Sequence, residues 1–446
     1  MKWWMALAAC AAGAWAADYQ AGVARMKITP ERPIWLSGYA SRTHPSEGVL
    51  QDLWAKALVI QDDKGGRVAL VTTDLIGLPR SLADLVAARV EKQYGLERSR
   101  LLLNSSHTHT GPALRGNLSV MWDLTPEQSA AIDEYSSKLA DALVNVVGAA
   151  LGDLKPARLA FGQGTAGFAA NRRQPTSNGV VIGVNPDGPR DLSVPVLRVT
   201  SPDGKLLAVL FGYACHNTTL TGEHYKLSGD YAGYAQAAIE NAHPSATALF
   251  LQLCAGDQNP NPRSTVELAE QHGRTLAGEV DRVLAGTLRP VRGPVRTAFR
   301  IVEPAFAPHT RETFEKQLTS TNPSEVRRAK LMLAAYDNGH PVRRVPYPVQ
   351  AVRFGRDLTV VALGGEPVVD YALRIKREVG SSAEPVIVAG YSNDVMCYVP
   401  SVAVLKGGGY EPQDSMIYYG QPGPFSEDIE ETVIGAVRSV LKRVGR

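Results

Sequence analysis

Strand-like apolar runs alternate with segments of helical period along this whole chain, and both tight turns and helices join the strands. Antiparallel neighbours accept a short turn, whereas parallel neighbours need a crossover long enough to hold a helix. A chain that uses both connections is expected to be α/β, with mixed β-sheets packed against helices. Residues 55–74 read as a hairpin turned at Asp63, Lys64, Gly65 and Gly66, and "VPVLRVTSPDGKLLAVLFGYAC" and "VQAVRFGRDLTVVALGG" read the same way. Helices are expected in "SLADLVAARVEKQYG", over 126 to about 151, in "GDYAGYAQAAIENA" and in "STVELAEQHGRTLAGEVDRVLAG". Two more are expected, over about 368–379 and about 426–443. Residues 101–103, "ALFLQLCAG" and "PVIVAGYS" read as buried strands, and 308–348 as a more polar helical insertion or lobe. No low-complexity linker interrupts this order, so 17–446 is expected to form one domain.

With 446 residues, 44% apolar and 20% charged, the chain has the material for a large core. A net charge of +3 from scattered basic residues leaves no nucleic-acid footprint. The N-terminus stands apart. "MKWWMALAACAAGAWAADYQ" has a basic start at Lys2, an apolar stretch to about Ala14, and small residues flanking Trp15. It reads as a signal peptide over 1–16, cut after about Ala16, which implies a secreted or periplasmic protein. "LAAC", ending at Cys10, resembles a lipoprotein site but leaves too short an apolar core before it. No later run reaches the ~18 apolar residues that span a bilayer. Beyond Cys10 there remain Cys215, Cys254 and Cys397, at most one disulfide, and they read as small buried apolar side chains.

Five apolar runs end in residues suited to ligation or proton transfer. "LLLNSSHTHTGP" carries His107 and His109; on an extended segment, residues two apart face the same side, so both imidazoles can share one site. "YACHNTTL" places His216 after a strand, and "LFLQLCAGDQNPNPR" runs into Gly256 and Asp257. "VALGGEPVVDY" places Glu366 behind a glycine pair, and "GYSNDVMCYVPS" places Tyr398 past another strand. Each alone has a structural alternative: a core histidine, an Asp that closes a turn, a Glu that caps a helix. Together they fit the carboxyl ends of strands, where open α/β sheets build their sites. Histidines with one carboxylate match a catalytic zinc site with an open position, whereas calcium or magnesium calls for more carboxylates.

The ordered set "SSHTHTGP", "NRRQP", "ACHNTTL…SGDYAGYA", "CAGDQNPN", "GGEP" and "GYSNDVMCYV…GGYE" resembles the catalytic domain of the neutral/alkaline ceramidases, and "LSGYAS" with "GVLQDLWAKALVI" resembles that family's opening. The resemblance implies zinc-dependent hydrolysis of an N-acyl amide of a lipid or small molecule. It assigns His107, His216, Glu366 and Tyr398 to the metal, with Tyr410 near enough in sequence to compete with Tyr398. It places His109 beside the metal as acid, base or oxyanion donor, Arg172 with Asn171 toward substrate, and Asp257 with Asn259 among the catalytic residues. Two departures stand out: Asn259 occupies the position of the serine in the family's Gly-Asp-x-Ser-Pro-Asn motif, and no immunoglobulin-like domain is expected after Tyr410 and Glu411. Zinc-activated water needs no serine, and Asn259 is expected to hydrogen-bond substrate in its place. The alternative is a ceramidase-like protein that binds a lipid or small ligand without turnover.

Overall fold

The computed structural model describes residues 18–446; the expected signal peptide and Cys10 lie outside the described residues. Mixed sheets packed with helices are present, as expected. Among the described residues the largest sheet has nine strands. Strand Tyr19–Lys27 runs antiparallel to Trp54–Asp62, which continues through the expected hairpin into Arg67–Thr73 and then pairs in parallel with Leu101–Ser105. On the other side of Tyr19–Lys27 come Lys155–Thr165, Ser193–Thr200, Leu206–Tyr213 and finally Thr247–Gln252, the last pair parallel. A second sheet orders Val295–Val302, Tyr347–Phe354, Leu358–Leu363 and Val386–Ala389, again ending in a parallel pair.

The two edges of the large sheet come together. The Asn104 side chain bonds the backbone of Gln252 through both atoms: Nδ2 donates to the carbonyl at 3.2 Å, and Oδ1 accepts from the N–H at 2.9 Å. Single bridges Asn104–Ser392 and Leu253–Ala389 then attach the second sheet to both edges. The carboxyl ends of the strands that precede His107, His216, Asp257 and Glu366 are thereby drawn to one place. Asn104 is fully buried, so each of these bonds replaces a contact with water that the amide has lost.

Helices cover the sheets with their apolar stripes. Pro126–Gly152 starts at a capping box, Thr125 with Gln128, and has Pro126 in its first turn, where a missing N–H costs nothing. It buries Leu139, Leu143, Val146 and Val147 with helix Arg80–Tyr94 against one face. Asp230–Ala242 and Val266–Ala285 cover another stretch of the large sheet, and Ile429–Arg443 covers the second sheet. That last helix begins three residues later than the sequence suggests. Segment 308–348 contains helices Arg311–Gln317 and Pro323–Asp337, which gather Phe314, Ala329, Met332 and Leu333. Arg327 of this segment donates to the Val120 and Met121 carbonyls and so braces the 112–124 loop.

Sequence reasoning missed several strands. Residues 173–190 read as a loop, but Its polar "NRRQ" stretch hides the strand pattern, because long-range pairing rather than local alternation holds it. Among the described residues, Cys215, Cys254 and Cys397 are free and buried.

Candidate metal centre

His107 sits two residues beyond strand Leu101–Ser105 and His216 three beyond Leu206–Tyr213. Glu366 opens the short strand Glu366–Pro367, which pairs in parallel with Tyr398–Val399 in a register that sets Glu366 opposite Tyr398. The two histidines of "HTH" do not share a face by strand alternation. His107 has φ 65, in the left-handed region, and this turn brings its Nε2 to 3.1 Å from His109 Nε2. Tyr391, Asn393 and Asp230 also take positive φ. Non-glycine residues are strained there, and such strain persists only where the surroundings hold it.

Three acceptor atoms converge. Glu366 Oε2 lies 3.0 Å from His107 Nε2 and 3.0 Å from His216 Nε2, all within a site closed to solvent. The other ring nitrogens settle the tautomers: Nδ1 of His107 donates to the Ile76 carbonyl at 2.5 Å, and Nδ1 of His216 to the Ala255 carbonyl at 2.7 Å. A carbonyl only accepts, so each Nδ1 carries the proton and each Nε2 presents a lone pair. Burial, and then the Arg172 charge, push the His216 pKa down to about 4, which keeps this ring neutral at pH 7. Burial works to raise the Glu366 carboxyl, but the His107 and His216 rings together hold it well below the usual range. Two lone pairs and a carboxylate oxygen with no proton between them repel one another unless a cation sits among them. The donor set therefore fits a divalent metal, and the backbone bonds to Nδ1 are the support that metal-binding imidazoles use.

His109 belongs to the same group of ligand-capable atoms, which all lie within 4.8 Å of one another. It differs from its neighbours: it is half-buried on the wall of a cavity of ≈ 300 Å³, and its Nδ1 has no hydrogen-bond partner. Burial, followed by the His107 and His216 rings, pushes its pKa well down.

Arg172 ties the cavity to the metal centre. Its Nε donates to Glu411 at 2.8 Å, one NH group to the Tyr398 hydroxyl at 3.0 Å, and the other to Asn259 Oδ1 at 3.3 Å. The Tyr398 hydroxyl lies 3.2 Å from His216 Nε2. Tyr410 instead packs beside it, ring centres 5.6 Å apart, and faces the Arg172 guanidinium. Arg172, Asn259, Tyr398 and His109 all line the cavity. Asn171 and Asp257 do not. They bond each other at 2.9 Å behind the wall, where Asp257 also accepts the Val369 N–H at 2.9 Å and so secures the start of helix Val369–Val379. Burial raises the Asp257 pKa to about 6.

Residues 19–278 match the family model described as "Neutral/alkaline non-lysosomal ceramidase, N-terminal". The chain belongs to the neutral/alkaline ceramidase family. The neutral ceramidase of Pseudomonas aeruginosa is 25% identical over 88% of this chain and 68% of its own length. That of Mycobacterium tuberculosis is 23% identical over 81% of this chain and 68% of its own. The Drosophila melanogaster neutral ceramidase is 26% identical, but over 55% of this chain and 36% of its own length. The crystal structure of the Pseudomonas aeruginosa enzyme superposes with a TM-score of 0.76, covering 96% of this chain and 75% of that one, at 21% identity. At that identity the superposition speaks for the ceramidase fold.

Sequence reasoning missed two tyrosines in this ceramidase-family site. The Tyr419 hydroxyl donates to Glu366 Oε1 at 2.5 Å, and the Tyr391 hydroxyl lies 3.4 Å from Oε2. Tyr391 stands in the "GYSND" stretch at a strand end, where the same reasoning that picked Tyr398 applies. Tyr419 follows a four-residue helix, Ser415–Tyr418, and carries no comparable signal.

Proposed function

We propose that this protein is a zinc-dependent hydrolase of the ceramidase type, secreted or periplasmic, that cleaves an N-acyl amide or related acyl bond. The observation that carries this reading is the convergence of His107 Nε2, His216 Nε2 and Glu366 Oε2, with both imidazole tautomers set by backbone carbonyls. These three residues hold the metal, and Tyr398 completes the set from the strand opposite Glu366. When bound, zinc supplies Lewis acidity toward a carbonyl oxygen and acidifies water at neutral pH.

The chain's own groups then divide the work. Arg172 holds the Tyr398 hydroxyl as an acceptor, so the phenolic proton is free to turn toward an oxyanion in the cavity. His109, neutral at pH 7 and open to the cavity, takes a proton at Nε2 and returns it to the leaving amine. Asn259 is held by Arg172 and by Thr218 Oγ1 at 3.3 Å through Oδ1, which leaves its amide N–H groups for substrate. Asn171 and Asp257 keep the Asn259 strand and the Arg172 strand in register.

His107→Ala is predicted to abolish stoichiometric zinc and amide hydrolysis together, measured by elemental analysis and by release of a fluorogenic N-acyl amine. Unchanged zinc content and unchanged hydrolysis would sink the mechanism. Asn259 supports a second reading, a binding protein without turnover; retained zinc and ligand binding with no hydrolysis across N-acyl and ester panels would favour it.

A further inference from the structure

Two guanidinium groups line the cavity, Arg172 and Arg263, and among the described residues no carboxylate does. The Arg172 charge is balanced on the spot by Glu411, which also takes Arg173 at 2.5 Å. Arg263 has no such partner. One NH group donates to the Tyr39 hydroxyl at 3.0 Å, Nε is buried without a hydrogen bond, and no ion pair with a described residue reaches it. Arg42, whose guanidinium lies 5.1 Å from the Tyr39 ring centre, bonds the carbonyls of Ser37, His109 and His224, so it too brings positive charge with no carboxylate against it.

The backbone that carries Arg263 is fixed on both sides. The Asn261 N–H donates to the Phe168 carbonyl at 2.9 Å, the Ser264 N–H to the Thr219 carbonyl at 2.8 Å, and His272 Nε2 to the Pro262 carbonyl at 2.7 Å. The guanidinium is thus held one aromatic ring from the proposed proton carrier, because the Tyr39 and His109 rings stand 4.8 Å apart. A partly buried cation without a counter-charge is costly unless an anion completes it, and the planar fork of Arg matches a carboxylate. Met121 and Ile182 give the same cavity an apolar side for an acyl chain.

We infer that Arg263 selects substrates whose amine half bears a carboxylate next to the scissile amide, making N-acyl amino acids, rather than neutral N-acyl amines, the preferred class. This rests on the hydrolase reading for the scissile bond, but its charge argument does not use the metal. The test measures both. N-octanesulfonylglycine, which the enzyme cannot hydrolyse, and its neutral glycinamide counterpart are titrated calorimetrically into the zinc-loaded full chain.

The carboxylate is expected to bind about tenfold more tightly than the amide. Arg263→Gln is expected to bring the two within about twofold without weakening the neutral amide, while Arg263→Lys keeps part of the preference. Equal binding of the two compounds, binding of neither, or a preference that survives Arg263→Gln would overturn the inference. Hydrolysis of N-octanoylglycine and N-octanoylglycinamide separates the two ideas. Turnover of both without preference leaves the hydrolase standing and removes the role of Arg263. A binding preference with no turnover of either keeps the role of Arg263 and removes the hydrolase.

Discussion

Glu366 depends on what holds its second oxygen. Oε2 faces His107 and His216, while Oε1 accepts a 2.5 Å hydrogen bond from Tyr419. A carboxylate held at one oxygen presents the other as a single ligand in a fixed direction, which is how outer partners tune a metal site. Tyr419→Phe is therefore predicted to weaken zinc binding by about 10-fold or more, measured by competition with a chromophoric chelator, while the fold survives. Affinity equal to the parent's would show that Tyr419 does not position Glu366. The legibility of the site divides at this same residue. His107, His216, Glu366 and Tyr398 each follow an apolar run, and a strand end is visible in sequence. Tyr419 reaches Glu366 only because the turn Tyr410–Asp414 and helix Ser415–Tyr418 fold back over the site, and no local pattern encodes that return.

At the level of elements, helix Arg80–Tyr94 starts at Pro79 with no side-chain cap and no acidic residue in its first turn. Asp394, from the segment that follows Val386–Ala389, stands near its start. Burial raises the Asp394 pKa to about 7, although the Arg80 charge and backbone N–H pull the other way. The native state therefore keeps this proton between about pH 4 and pH 7, where the unfolded chain has released it. The contribution of Asp394 to stability falls as pH rises through that window, by up to about 1.4 kcal/mol per pH unit. Asp394→Asn removes the dependence, so the melting temperature of the variant relative to the parent is predicted to rise between pH 4.5 and 7.5. A constant difference across that range would contradict the assignment. Elements of this kind were partly readable. Hairpins closed by Asp, Lys and Gly and helices closed by Gly stood out, whereas the Ala169–Asn185 hairpin did not, because its partner strand Gln258–Pro260 lies far away in sequence.

In the whole molecule, the site gathers residues from distant stretches of chain. His107 follows one edge of the nine-stranded sheet, His216 follows an inner strand near the other edge, and Glu366 and Tyr398 come from the second sheet and the segment beyond it. The alternation of apolar runs is enough to foresee a mixed α/β body. It does not reveal that Asn104 joins the two sheet edges, since that depends on one buried amide finding one backbone segment. A metal held across these parts binds the native state and not the unfolded chain, so at 1,000 times its dissociation constant it adds about 4 kcal/mol of stability. Chelation is predicted to lower the melting temperature by several degrees, and added zinc to restore it; a melting temperature indifferent to both would mean that the site does not bind metal natively. The most direct test is anomalous diffraction at the zinc absorption edge from zinc-loaded crystals. One peak is predicted, about 2.0–2.2 Å from His107 Nε2, His216 Nε2 and Glu366 Oε2. An empty cluster, or zinc bound only elsewhere, would contradict the account.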